Sequence, residues 1–181
     1  NPLTLKLGLL LGVSGSLFFG VNAYLGALLE QRGEFDNLTE ALFWYNFAQV
    51  VASLLMLKMA RYWVGKKAPL IIMLILSLLG TIGMLVFNGW WAIASATFMS
   101  FTAGVLLIMM VALPPLLVPA SDTGRLSAGN FLVGYTIAFT VPMLGGLLSD
   151  WTGDIRHAIA VMIAYGLLVS PLAIKLNLQR Q

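Results

Sequence analysis

The chain has 181 residues, 60% of them hydrophobic and only 9% charged, with a net charge of +3 and no cysteine. A soluble domain carries about 25% charged residues, so this chain has too little charge to coat a globule in water and belongs in a bilayer. Without cysteine, disulfides, thiolate metal sites and a cysteine nucleophile are excluded.

Charge-free runs place six spans, at about 7–29, 41–61, 69–87, 91–118, 126–149 and 157–174, in one domain covering 1–181; the second run ends at Leu57 and is extended by Lys58 and Arg61, which can snorkel. The chain begins with Asn rather than Met, so it reads as a fragment or a processed product. The first apolar run is too long for a signal peptide and lacks a cleavage site. The second span ends in a basic stretch, 58–67, which carries Lys58, Arg61, Lys66 and Lys67. No residue from 68 to 121 is charged, and that is too long for one crossing of about 20 residues. The run divides at Asn88-Gly89, a turn signal followed by Trp90 and Trp91. All five tryptophans (Trp44, Trp63, Trp90, Trp91, Trp151) fall at or just beyond span ends, as an interfacial aromatic belt requires. Pro114, Pro115 and Pro119 break the end of the fourth span, and Pro142 bends the fifth.

Basic residues set the orientation. Lys6, the four in 58–67, Arg125, Lys175 and Arg180 share one face, against Arg32 and Arg156 on the other. The positive-inside rule then makes both termini cytoplasmic. It also accounts for the positive charge without a nucleic-acid partner; the partner implied is the lipid bilayer.

Two pairs of matches suggest an internal repeat. Asn46-Phe47 recurs as Asn130-Phe131, and Trp63-Val-Gly65 as Trp151-Thr-Gly153, at offsets of 84 and 88 residues. The expected fold is therefore an all-α membrane protein of six transmembrane helices with a 3+3 inverted repeat, an arrangement found in secondary transporters.

Enzyme chemistry finds little support. Gly12-Val-Ser14-Gly15 spells the small-residue setting of an intramembrane serine protease, but the only histidine, His157, starts the sixth span at the opposite depth. The two differ in depth by roughly 15 Å, whereas a serine base must lie within about 3 Å. No span centre carries Asp, Glu, Lys, Arg or His, so neither a proton-coupling carboxylate nor a metal or cofactor site is expected.

What remains is neutral and polar. Asn22, Gln49, Ser100 and Thr140, from four spans, all lie about 10–14 Å below the non-cytoplasmic surface at 1.5 Å per residue. One shared depth suggests one cavity. Phe18 and Phe101 are candidate aromatic walls; Asn46, one turn above Gln49, lines the approach, and Tyr135 completes the polar set. A neutral lining suits a small polar or delocalised solute.

Several stretches resemble a family. The segment from Pro142 through Gly145, Leu147 and Asp150 to Gly153 is similar to the ending of the eleventh helix in the major facilitator superfamily. The segment from Arg61 through Gly65-Lys66-Lys67 to Pro69 resembles its basic loop between helices eight and nine, although Lys58 and Tyr62 stand where that loop has Gly and Asp. Phe18-Phe-Gly-Val-Asn22-Ala-Tyr24, with Leu29-Glu-Gln-Arg-Gly33, resembles the seventh helix of the cyanate and nitroimidazole permease branch, as does Leu126 through Tyr135. The resemblance covers the whole chain as the C-terminal half of a twelve-helix transporter in a bacterial inner membrane. It implies alternating access, a small-molecule substrate held against a missing N-terminal half, spans one, two, four and five around the cavity, and a helix-end latch at Asp150 and Gly153. The competing readings are a stand-alone six-helix protein that pairs with a second copy as a pore or assembly subunit and, more remotely, the protease.

Overall fold

A computed structural model describes residues 2–178; Arg180, counted in the charge bias, lies outside them. Among the described residues there are seven α-helices and no strand. They are α1 (Pro2–Gln31), α2 (Leu38–Trp63), α3 (Lys67–Val86), α4 (Gly89–Val111), the single turn α5 (Pro114–Leu117), α6 (Ala120–Thr152) and α7 (Arg156–Lys175). All but α5 are long and apolar enough to cross a membrane. The chain is thus an all-α membrane protein with six candidate spans.

Where helix ends differ from the expected spans, the cause is local chemistry. α4 stops at Val111 rather than at 118, because Pro114 and Pro115 cannot donate into its last turn. α6 begins at Ala120, six residues before the charge-free run, because Asp122 and Arg125 are helical residues at the bundle's rim. At the Asn88-Gly89 break, Gly89 takes φ +57°, a left-handed conformation that L side chains rarely adopt. Gly153, at φ +72°, ends α6 in the same way.

Helix directions alternate. Residues 4 and 129, Gly65 and Leu116, and Lys67 and Ile174 meet at one end, here called the basic end. The 31–37 turn, the α3–α4 turn and the α6–α7 turn meet at the other, the distal end. The chain places both described termini at the basic end.

α1 is the hub. It packs most extensively along α6, and also on α4 and α7; α4 packs on α2 and α3. Water does not drive these contacts in a bilayer, so close approach and hydrogen bonds must. Small residues supply the approach: a Cβ at Gly15 would lie 2.7 Å from that of Ala138, which only glycine avoids. Tyrosines supply the bonds. Tyr165 of α7 donates to Leu9 O (2.8 Å), Tyr45 of α2 to Phe18 O (2.7 Å), and Tyr24 of α1 to Pro142 O of α6 (2.8 Å). Hydrogen bonds in such bundles contribute about 0.6 kcal/mol each, so their first effect is to fix which faces meet.

Candidate functional site

The basic half of α1 is sealed: every residue from Leu10 to Leu17 is buried. From Phe18 onward the helix opens on the side between α2 and α6, where Phe19, Asn22, Ala23 and Ala27 are partly or fully exposed. α2 and α6 do not pack on each other. They flank a trough that opens toward the distal end, with α1 as its floor.

One polar pair bridges the trough wall. Asn22 Nδ2 donates to Asn46 Oδ1 at 3.2 Å, and Asn46 is itself oriented by donating to Leu42 O at 2.8 Å. Asn46 is exposed and Asn22 partly so. Below the pair runs a file of rings from α2 across α1 to α6. Tyr45 stacks on Phe18 (5.6 Å between centroids), Phe18 meets Phe19 edge-on (5.2 Å), Phe19 stacks on Phe139 (5.7 Å), and Tyr135 stacks on Phe131 (5.8 Å). Tyr45 is fully buried and backs the file, while the partly or fully exposed rings of Phe18, Phe19, Tyr135 and Phe139 form the floor.

The four residues expected at one depth resolve differently. Gln49 and Ser100 do meet: Gln49 Nε2 donates to Ser100 O at 2.6 Å, and Ser100 Oγ donates to Tyr45 O at 2.7 Å. Ser100 is fully buried, so it joins α2 to α4 and lines no cavity. Thr140 is exposed on α6 and is not hydrogen-bonded to the other three; the rings of Phe139 and Tyr135 on the same helix meet Phe19. Phe101 also moves. It lines a separate apolar groove of about 510 Å³ between α2 and α4, with Trp44, Phe47, Trp90 and Phe98, on the side of α2 away from Asn46. Phe18 and Tyr135 join the file of rings, through Tyr45 and Phe19 respectively. Phe19, Tyr45 and Phe139 were missed; the Phe18-Phe19 doublet in a polar-depleted span was the available signal.

The distal end is tied, but not through Asp150. That carboxylate is exposed and makes no hydrogen bond or ion pair among the described residues. It opens on a cleft of about 440 Å³ shared with Glu30 and Gly153. The tie is made four residues later. Gln31 donates to Asp154 Oδ1 (3.2 Å) and accepts from Ile155 N (3.0 Å), and Asp154 pairs with Arg156 (2.7 Å) while accepting from its backbone N–H (3.0 Å). Hydrogen bonds from Arg156 hold the Asp154 carboxyl well below the usual carboxylate range. Alongside, Arg32 Nη1 and Nη2 donate to Met84 O, Phe87 O and Leu85 O (2.8–3.0 Å) at the end of α3, and Glu34 accepts from Gly89 N (3.0 Å) at the start of α4. The tail of α1 and the loop after it thus secure both other distal turns.

Ser14 and His157 stay apart. Ser14 is buried, with its hydroxyl on Leu11 O (2.9 Å), while His157 faces Thr152 Oγ1 (2.8 Å) at the distal rim. No group of three or more metal-ligating side chains occurs among the described residues. No protein-family model, curated protein or solved structure matches the chain.

Proposed function

We propose that this chain is one half of a secondary transporter that moves a small neutral polar or delocalised solute by alternating access, as its resemblance to the major facilitator superfamily implies. The observation that carries the reading is the Asn22–Asn46 amide pair, held by a 3.2 Å bond at the open wall of an aromatic-floored trough. An amide among apolar helices is costly unless partners or cavity water satisfy it. Here one amide satisfies the other, and both remain accessible from the trough. A second six-helix half, or a second copy of this chain, would close the open side.

The helix partnerships favour the 3+3 repeat. α1 packs on α6 as α4 packs on α2, and α4 packs on α3 as α1 packs on α7. The polar contacts follow the same exchange. Asn46 reaches α1 at Asn22, and Asn130, offset by 84, reaches α4 at Met110 O, which is offset by 88 from Asn22. The first contact lies toward the distal end and the second toward the basic end, as opposite topologies require. In this reading both termini and the 58–67 loop are cytoplasmic, and the membrane is the inner membrane of a bacterium.

The test is uptake of labelled small neutral and delocalised solutes by cells making the full-length protein at matched membrane abundance. Asn22→Ala and Asn46→Ala should each raise KM or lower the rate at least several-fold. A control Ser77→Ala, in α3 away from the trough, should not. Wild-type kinetics in both asparagine variants would remove the trough as the substrate site.

A further inference from the structure

Arg32 and Arg156 come from different ends of the chain and border one hollow at the distal end. Its volume is about 330 Å³; Gln31 and Asn88 complete its rim, and Leu28 and Leu85 form part of its floor. The two guanidiniums are near enough for Arg156 to disfavour the charge on Arg32. Burial is the larger cause of that lowering, and Glu34 opposes it. The like charges are offset by carboxylates at the edge of the hollow, Glu34 beside Arg32 and Asp154 on Arg156, which leaves the hollow itself lined by guanidinium edges over an apolar floor.

The donors are not exhausted. Arg32 commits Nη1 and Nη2 to carbonyls, leaving its Nε–H; Arg156 commits Nε and Nη2 to Asp154, leaving Nη1. The Asn88 side chain makes no capping bond to α4, although it stands at the N-cap. Gln31, by contrast, is held by the 154–155 segment, with one N–H on the Asp154 carboxylate and its oxygen on Ile155 N–H. Glu34 acts on Arg32 as Asp154 does on Arg156, so an incoming anion would be held by the unused N–H donors rather than by excess positive charge.

Depth identifies the anion's setting. α3 and α7 have 20 residues each, about 30 Å at 1.5 Å per residue, which matches the hydrocarbon core. Arg32 caps the last carbonyls of α3, and Arg156 is the first residue of α7. The hollow therefore lies at the hydrocarbon boundary, the level of lipid phosphates. We infer that it is a binding site for a phosphate-bearing anion, held by the free donors of Arg32, Arg156 and Asn88.

Two sources share that chemistry, an anionic lipid headgroup and a free phosphate. The test titrates the purified full chain, in an uncharged detergent, with dihexanoyl phosphatidylglycerol and separately with inorganic phosphate, and follows binding by native mass spectrometry. Saturable binding of the lipid but not of phosphate assigns the site to a headgroup seated over the apolar floor. Binding of phosphate that displaces the lipid assigns it to the anion itself. In either case Arg156→Gln should weaken binding about tenfold and Asn88→Ala several-fold. Asp154→Asn should tighten it, because a competing carboxylate is gone. Circular dichroism checks the fold of each variant, and if Arg156→Gln does not fold, the opposed directions of Asn88→Ala and Asp154→Asn decide. No binding of either probe, or binding indifferent to these changes, overturns the inference.

Discussion

The Tyr24 hydroxyl donates a 2.8 Å hydrogen bond to the carbonyl of Pro142, joining α1 to α6 at the residue where α6 lacks a backbone donor. The geometry is close-fitting, since a Cβ placed on Gly146 would run into that hydroxyl, while the ring carbon beneath it stands at 3.4 Å. Gly146→Ala should therefore lower stability by about 1–3 kcal/mol, as overpacking does, and Tyr24→Phe by about 0.6 kcal/mol. The double variant should recover much of the alanine's cost, because the colliding atom is absent. Thermal unfolding in detergent measures all three, and strict additivity would show that the two residues do not meet.

Topology can be read on a clean background, since the chain has no cysteine. Single cysteines at Lys66, between α2 and α3, and at Asp36, between α1 and α2, should react with an impermeant thiol reagent from opposite faces of the membrane. Only the Asp36→Cys protein should label in intact cells, if the basic end is cytoplasmic. Labelling of both from one face would refute the arrangement.

Arg32 should be irreplaceable by lysine. Its guanidinium serves three carbonyls, Met84, Leu85 and Phe87, at 2.8–3.0 Å. A lysine is a point donor on a flexible stem and cannot span that fork. Arg32→Ala should cost about 2 kcal/mol or more, because carbonyls at the end of α3 lose a charged partner. Arg32→Lys should recover less than half of it, as judged by unfolding midpoints.

The six spans were legible because charge marks a boundary in hydrocarbon, and the Asn88-Gly89 break was legible because a positive φ needs glycine. The site was legible only as depth. Counting residues from helix ends put Gln49 level with Ser100, and they bond. It could not say that Ser100 faces inward, that Thr140 bonds none of the other three, or that Phe101 belongs to a different groove. Rotation about a helix axis is normally read from an apolar stripe against polar residues. Here lipid and core are both apolar, so α1 and α4 show no such contrast. The distal ties were hidden for another reason: most partners of Gln31, Arg32 and Glu34 are backbone groups, which no side-chain pattern announces.

The Gln31–Asp154–Arg156 tie should be insensitive to mild acid. The folded-state pKa of Asp154 is depressed, so its contribution is fully present above the unfolded value of about 3.9 and is lost only as pH falls through the lower folded value. The effect is small because Arg156 is exposed and Asp154 only partly buried, and it should shrink further in high salt. Asp154→Asn should lower the unfolding midpoint equally at pH 5 and pH 7, with the difference from wild type narrowing only under strong acid. A difference that already narrows between pH 7 and pH 5 would contradict the depressed pKa.

α2 and α3 are joined by a three-residue turn, yet they scarcely touch; α2 rests on α4 and meets α1 at few points. Its polar attachments, Tyr45 on Phe18 O, Asn46 on Asn22, Gln49 on Ser100 O and Ser100 on Tyr45 O, all lie in its distal half. The basic half of α2 carries exposed Leu54 and Leu57 and no side-chain hydrogen bond to another helix among the described residues. That half is held by apolar packing alone, through buried Ala52 and Met56. The basic half of α2 can therefore roll against α4 without breaking a side-chain hydrogen bond, whereas the same movement of its distal half would break several.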